Sequence, residues 1–516
     1  MEKGPQTKAT ERLARLGAGG ILVLTLLFSG YLFVSSLLQT VDVSTGSGFG
    51  EVIRFDRDSL PMNLLALLLS LGLLWLFWRI CDRISLRALT LVLGVWTLVA
   101  GCLFICQVKL QTSQDSYIVT FWAMQAARGD TSYYHDYFAA FPYQFGFALY
   151  EELVFRLLFW VVPHIPEGFA CMILQGMNLL FVIGTAWLLI ACAGRLFHSR
   201  RVQKLTAFLL LLSLHGIFFC TYLYGNVPGF FFAMLAVWFY LGFQEKKKGG
   251  DAVFCALALA LAVMLKLNYL IVFIALVIVW LLELLRKWEW RSFVCLLLCA
   301  AAVLGLKNMP QRFYERRMGE DFGSGVPMIG WMALGFHEGQ TCSGWYEATY
   351  TVSAFLDADK DSAAAAAVAR EALTKRMQEF RQEPGEALAF FNRKFLSQWN
   401  EPTYEVIWNN NVRGHFTEPG RLYTLLCREG EGTIKSLMNG YQQLIFCGLC
   451  LALAALLRRR EPQTALLPLM LLGGMLYHLL FEAKSQYSYH FFLMMVPLAA
   501  YGLECLFLLP KGKKQA

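Results

Sequence analysis

Leu60 to Arg79 reads LPMNLLALLLSLGLLWLFWR, an uncharged run closed by a single arginine. A helix rises about 1.5 Å per residue, so a stretch of this length covers the ~30 Å of a bilayer's hydrocarbon. Similar runs recur near 17–38, 88–108, 169–191, 205–222, 226–243, 251–265, 268–285, 292–306, 438–457, 464–481 and 489–509. Hydrophobic residues make up 57% of the chain and charged residues only 16%. The expected fold is therefore an all-α polytopic transmembrane bundle of about twelve spans.

The basic residues orient it. With the N-terminus inside, the inner segments collect Lys3, Lys8, Arg12 and Arg15; Arg79, Arg83 and Arg87; Arg195, Arg200, Arg201 and Lys204; Lys246, Lys247 and Lys248; Arg286, Lys287 and Arg291; Arg458, Arg459 and Arg460; and Lys511, Lys513 and Lys514. The short outer loops hold little beyond Arg54, Arg57, Lys266 and Lys484. Short cytoplasmic loops carry such an excess, so both termini are expected in the cytoplasm. The formal charge of +8 then reflects membrane orientation, and no nucleic-acid partner is implied. The first apolar segment follows basic residues but lacks a small-residue cleavage site, which reads as an uncleaved span.

This topology divides the chain into three N-terminal spans (1–108), a first outer loop (109–168), a central six-span bundle (169–306), a large outer helical region (307–437) and three C-terminal spans (438–516). The two long loops, both expected on the extracytoplasmic side, are where function is sought. The first begins with Asp115-Ser116-Tyr117 and contains Phe141-Pro142-Tyr143-Gln144-Phe145-Gly146. A carboxylate where a span ends is costly beside hydrocarbon unless it faces a protein cavity, or simply caps the following helix. From Gln144 to Val161 the apolar spacing is helical, with Glu152 four residues before Arg156. Asp130, His135, Asp136 and Glu151 read either as a divalent-metal site, which their spacing does not support, or as solvated polarity at the interface, and no cofactor is predicted.

The second loop opens with Lys307, Arg312, Arg316 and Arg317, cations on the side where short loops are poor in them. They read either as a solvated helix start beside Glu315, Glu320 and Asp321 or as a phosphate site, for which Arg supplies planar paired donors. Ala363–Phe380 and Glu386–Trp399 read as helices separated by Pro384. Trp331, Phe336, Trp345, Trp399 and Trp408 add aromatic surface suited to sugar stacking or to anchoring at the interface. The last outer loop, Phe481-Glu482-Ala483-Lys484-Ser485-Gln486-Tyr487-Ser488-Tyr489-His490, is too polar to face lipid.

These elements together resemble the GT-C glycosyltransferases: an Asp at the exit of an early span, a following Phe-Pro-Tyr-Gln element, a large late outer loop, and Glu-x-Lys-x-Gln-Tyr before the final span. Within them the chain is similar to the bacterial protein O-mannosyltransferase and aminoarabinose transferase group, glycosyltransferase family 39. The resemblance implies an inverting transferase in the cell membrane, its site facing outward. A polyprenyl-phosphate-linked sugar from the membrane lipids would be the donor, with an extracytoplasmic acceptor. It implies Asp115 as the catalytic acidic residue and Lys484 as the contact to the lipid phosphate. Arg316, Arg317 and Lys266 are further phosphate candidates, and Tyr143, Gln144, Glu482, Tyr487 and His490 are substrate-binding candidates. Protein mannosyltransferases carry a paired Asp-Glu where this chain has Asp115-Ser116, so a protein acceptor does not follow.

Two plainer readings accompany these. Most of the fourteen Cys fall in apolar spans as small hydrophobes, Cys447 and Cys450 among them, while Cys342 and Cys427 share the second loop and are free to pair. The competing function is a transporter or flippase of a lipid-linked substrate, for which related halves and charges at mid-membrane are usual. This chain instead gathers its polar residues at one face.

Overall fold

The computed structural model describes residues 5–46 and 50–508. Lys3, Lys511, Lys513 and Lys514 lie outside the described residues. Among the described residues ten helices are long and apolar enough to cross a membrane: Lys8–Leu38, Leu60–Arg83, Leu86–Val108, Glu167–Phe197, Asn226–Lys246, Leu267–Arg286, Trp290–Met318, Glu431–Leu456, Pro462–Leu480 and Ser485–Leu508. The chain is thus a helical, multi-pass membrane protein. Leucine, valine and tryptophan side chains on the outward faces, such as Leu68, Leu69, Leu91 and Trp187, are exposed as a lipid-facing surface requires.

Ten is fewer than the twelve expected, and two segments account for the difference. The apolar helix Gly249–Leu265 is shorter, with 17 residues. The 205–222 run does not form one helix: Arg200–Leu212 stops, and a five-residue helix, His215–Phe219, follows. Polar side chains break it. The Pro402 carbonyl is 2.7 Å from the His215 Nε2, Ser213 meets the other ring nitrogen at 3.2 Å, and the Thr221 hydroxyl donates to Asn410 at 2.9 Å. Bonds to the large loop outweigh the helical hydrogen bonds lost there.

A second departure from the all-α expectation is a hairpin, β1 (Gln39–Thr45) antiparallel to β2 (Glu51–Arg57), with Gln39 opposite Arg57 and Thr45 opposite Glu51. Its alternation is legible after the fact: Val41 and Val43 are buried while their neighbours are not. Lys435 fastens β1 through Asp42 at 2.5 Å, and Val41 N–H donates to the Asn400 carbonyl at 3.2 Å.

The loops form helices much as their sequences imply. The first holds Gln114–Ala127, His135–Ala140 and Phe145–Val161, and the second holds Met309–Met318, Ser362–Gln382 and Pro384–Trp399. Asp361 caps the Ser362–Gln382 helix, accepting from the amides of Ala363 and Ala364. Cys342 and Cys427 are both free thiols.

Ion pairs tie the helix ends at one side of the bundle: Arg201 to Asp82, Lys247 to Glu289 at 2.8 Å and Arg286 to Glu461 at 3.0 Å. At the other side the two long loops are locked together at Glu152. Its buried carboxylate accepts from Tyr314 at 2.5 Å, from Arg317 at 2.6 Å and from Arg156 at 2.7 Å. Replacing Glu152 by Gln leaves two guanidinium groups without their shared anion. Glu152→Gln is expected to lower the unfolding free energy by about 2 kcal/mol, read as an earlier transition in thermal or SDS denaturation, whereas Arg370→Gln on the exposed face of Ser362–Gln382 leaves it unchanged.

Candidate functional site

At the end of the bundle remote from the ion-paired rim, the loops enclose a cavity of about 720 Å³. Its wall brings together segments far apart in sequence, including Glu51 of β2, Asp115, Tyr143 and Gln144, Tyr224, Lys266, Trp331, Tyr346, and the Phe481–Tyr487 stretch. Three carboxylates and two ammonium groups therefore share one aromatic chamber, a size and lining suited to a small-molecule ligand.

Asp115 stands in the first turn of Gln114–Ala127. Gln114 before it has φ of 52°, a left-handed backbone that costs a non-glycine residue about 1 kcal/mol and turns the helix start toward the chamber. The Asp115 side chain keeps accessible surface and lines the chamber, with protein crowding around its carboxylate. That enclosure raises its pKa above the ordinary carboxylate value, against the opposing pull of Lys484, Lys266 and hydrogen bonds with Tyr137 and Tyr224. Gln144 ties the same two tyrosines together, its amide donating to Tyr137 at 3.3 Å and to the Tyr224 hydroxyl.

Lys266 lies between Gly249–Leu265 and the next helix. Two glycines seat it: a Cβ on Gly146 would stand 1.8 Å from the Met264 carbonyl oxygen, and one on Gly225 would stand 1.9 Å from that of Leu265. The ammonium sits 3.8 Å from the centre of the Tyr224 ring and 5.5 Å from that of Tyr487. Burial pushes Lys266 down to about 8, with Asp115 and Glu482 opposing.

Lys484 has the richest surroundings. It pairs with Glu51 at 2.6 Å and lies 5.8 Å from the Trp408 ring. Burial alone would depress it, but Glu51, Glu405 and Glu482 outweigh that effect and hold it above the usual lysine range. Burial raises Glu482 to about 7, with Lys484 pulling back and Asp115 adding to the rise, and Tyr487 donates to Glu482 at 3.3 Å. Beneath them Glu405 is buried and raised to about 7. Its Oε1 accepts from the Ser485 hydroxyl and amide, both at 2.9 Å, so it fixes the start of the last helix.

The sequence-derived candidates divide cleanly. Asp115, Tyr143, Gln144, Lys266, Glu482, Lys484 and Tyr487 all line the chamber. Arg317, Arg316 and His490 do not. Arg317 is committed to Glu152 and to the Ala126 carbonyl at 2.8 Å, and Arg316 on the same helix is exposed away from the chamber. His490 is buried inside Ser485–Leu508 against Phe219 and Phe230, because it falls beyond the first turn of that helix. Glu51, Tyr224, Glu405 and Tyr346 were missed. Their neighbours in sequence give no cue, since their partners are distant in the chain: Glu51 meets Lys484, Tyr224 meets Gln144 and Lys266, and Glu405 meets Ser485.

One buried cation organises the Glu482–Lys484 turn. The Lys394 ammonium donates to the carbonyls of Gly335, of Leu479 at 3.0 Å and of Phe481 at 2.7 Å. It thereby clamps the end of Pro462–Leu480, and Ala483 N–H then reaches the Gly344 carbonyl at 2.8 Å. Loss of the ammonium leaves three carbonyls with no strong donor. Lys394→Met is expected to strip hydrogen-exchange protection from the Ala483 amide, with Lys394→Arg retaining part of it; unchanged protection in Lys394→Met would show that the turn holds without the clamp.

No protein-family model matches the chain and no curated protein matches it.

Proposed function

We propose that the chain is a GT-C-like membrane glycosyltransferase that moves a sugar from a polyprenyl-phosphate donor to an acceptor hydroxyl outside the cytoplasm. The observation that carries this reading is the chamber itself: a raised-pKa carboxylate, Asp115, and two cations, Lys266 and Lys484, face one aromatic-walled space at the ends of the spans. The basic rim at the opposite end supports a cytoplasmic location for that side, which leaves the chamber facing out.

In the reaction the acceptor oxygen attacks the anomeric carbon as the bond from that carbon to the phosphate oxygen breaks. Asp115 takes the acceptor proton, and its raised pKa strengthens it as a base. Polyprenyl phosphate departs, and the charge gathering on its oxygen is met by the ammonium groups of Lys266 and Lys484. Lys484 is free to do so only when Glu51 gives way, so donor phosphate exchanges with a carboxylate already there. Tyr143, Trp331, Tyr346 and Tyr487 offer ring faces to the sugar, and direct displacement inverts the anomeric centre.

Incubation of the purified protein with a panel of polyprenyl-phosphate sugars is expected to release polyprenyl phosphate. Asp115→Asn should reduce that release by about 10³-fold with the protein still folded. Asp115→Asn that still transfers sugar, or wild-type protein that translocates the lipid without cleaving it, would replace the transferase reading with that of a flippase.

The rate should also fall as pH rises through about 8, because Lys266 must be protonated to hold phosphate and burial has lowered it to that value. Lys266→Arg keeps the charge at all accessible pH, so its alkaline limb is expected to move upward. An alkaline limb that stays in place in this variant would assign it to another group.

A further inference from the structure

The second long loop begins with a charge anomaly that the chamber does not absorb. Arg317 and Arg156 are spent on Glu152, but Lys307 and Arg312, from the same basic run, line a separate pocket of about 480 Å³. This pocket shares Tyr143, Leu267 and Ser324 with the main chamber, so the two spaces meet at a common wall. Its floor is apolar, formed by Val263, Met264 and Leu267 where one short helix ends and the next span begins. It therefore opens at the level where hydrocarbon gives way to water.

Among the described residues neither Lys307 nor Arg312 is ion-paired. Two acids stand in the same pocket, and one oxygen of each accepts from neutral donors. Glu315 Oε1 accepts from the Gln311 side chain at 2.8 Å and from the Phe322 amide at 3.3 Å, and Asp321 Oδ1 accepts from the Gly323 amide at 2.8 Å. The acids bond the turn that shapes the pocket, and Lys307 and Arg312 line it with no carboxylate partner among the described residues. An arginine offers planar paired donors and a lysine a compact charge, the combination that suits a phosphate monoester.

We infer that this pocket is a second phosphate-binding site, distinct from the Lys266 and Lys484 pair, which takes the phosphate group of a membrane lipid at the lateral entrance to the chamber. Lys307 and Arg312 grip the phosphate while the acyl or isoprenoid chains remain in the bilayer beside Val263 and Met264. The site stands whichever chemistry the main chamber performs.

The test uses the full chain in phosphatidylcholine nanodiscs doped with phosphatidate, with retained lipid measured by native mass spectrometry. Phosphatidate is expected to be retained in preference to phosphatidylcholine. The double variant Lys307→Gln/Arg312→Gln should lower its occupancy by at least about tenfold, while Arg316→Gln, exposed on the same helix and outside the pocket, leaves it unchanged. Arg312→Gln alone, at an exposed position, carries the test if the double variant fails to assemble. Added inorganic phosphate separates the sources: displacement shows that the site reads the phosphate group by itself, and persistence shows that the lipid chains contribute. No preference for phosphatidate, or equal occupancy in the double variant and the wild type, would overturn the assignment. Retention is read with no sugar donor present, which keeps a failure here separate from a failure of the transferase reading.

Discussion

An ammonium group taken out of water is costly unless acceptors meet it, and the architecture around Lys484 supplies carboxylates from three directions. Glu51 arrives on a hairpin, Glu405 from the large loop, and Glu482 from two residues away. Desolvating one such charge costs several kcal/mol, so each of these segments is pinned by the need to stay beside it. The hairpin, the large loop and the start of the last span are thereby held to one another. Strain accumulates at the same place: Tyr404 and Glu405 adopt left-handed backbone with φ of 51° and 60°. That conformation is paid for by the hydrogen bonds of Glu405 and Glu401 to the Thr403 to Ser485 region.

The aromatic walls matter to this electrostatic arrangement as much as the charges do. Tyr137, Tyr224 and Tyr487 present ring faces or hydroxyls to Asp115, Lys266 and Glu482, replacing bulk water with fixed dipoles. Such groups need no reorganisation when charge moves between ligand and protein. The result is a chamber in which Asp115 and Glu482 sit nearer neutrality than in solution and Lys266 sits nearer deprotonation.

Periodicity and charge in the sequence reveal the helical membrane class, because a span is a local property written in a continuous apolar run. The same holds for the helices at Phe145–Val161 and Pro384–Trp399 and for the Glu152 to Arg156 pair. Asp115, Lys266, Glu482 and Lys484 were legible because an ionisable residue at a span boundary is conspicuous. Glu51 and Glu405 were not, since an acid in an ordinary polar stretch acquires meaning only from the lysine it meets. Arg317 misled for the complementary reason: its charge was visible, and its commitment to Glu152 was not. The 205–222 segment has the hydropathy of a span but is broken into two helices, because His215 and Thr221 answer to partners in the large loop.

The brevity of Gly249–Leu265 has a mechanical outcome for the surrounding bilayer. Seventeen residues rise about 25 Å, several ångströms less than typical hydrocarbon thickness. Val253, Phe254 and Leu257 on this helix are exposed. The leaflets must pucker inward to match it, at a modest cost per ångström of mismatch. Headgroups beside this helix then sink toward the bilayer centre, so a lipid approaching from that side travels a shorter vertical distance to the chamber level.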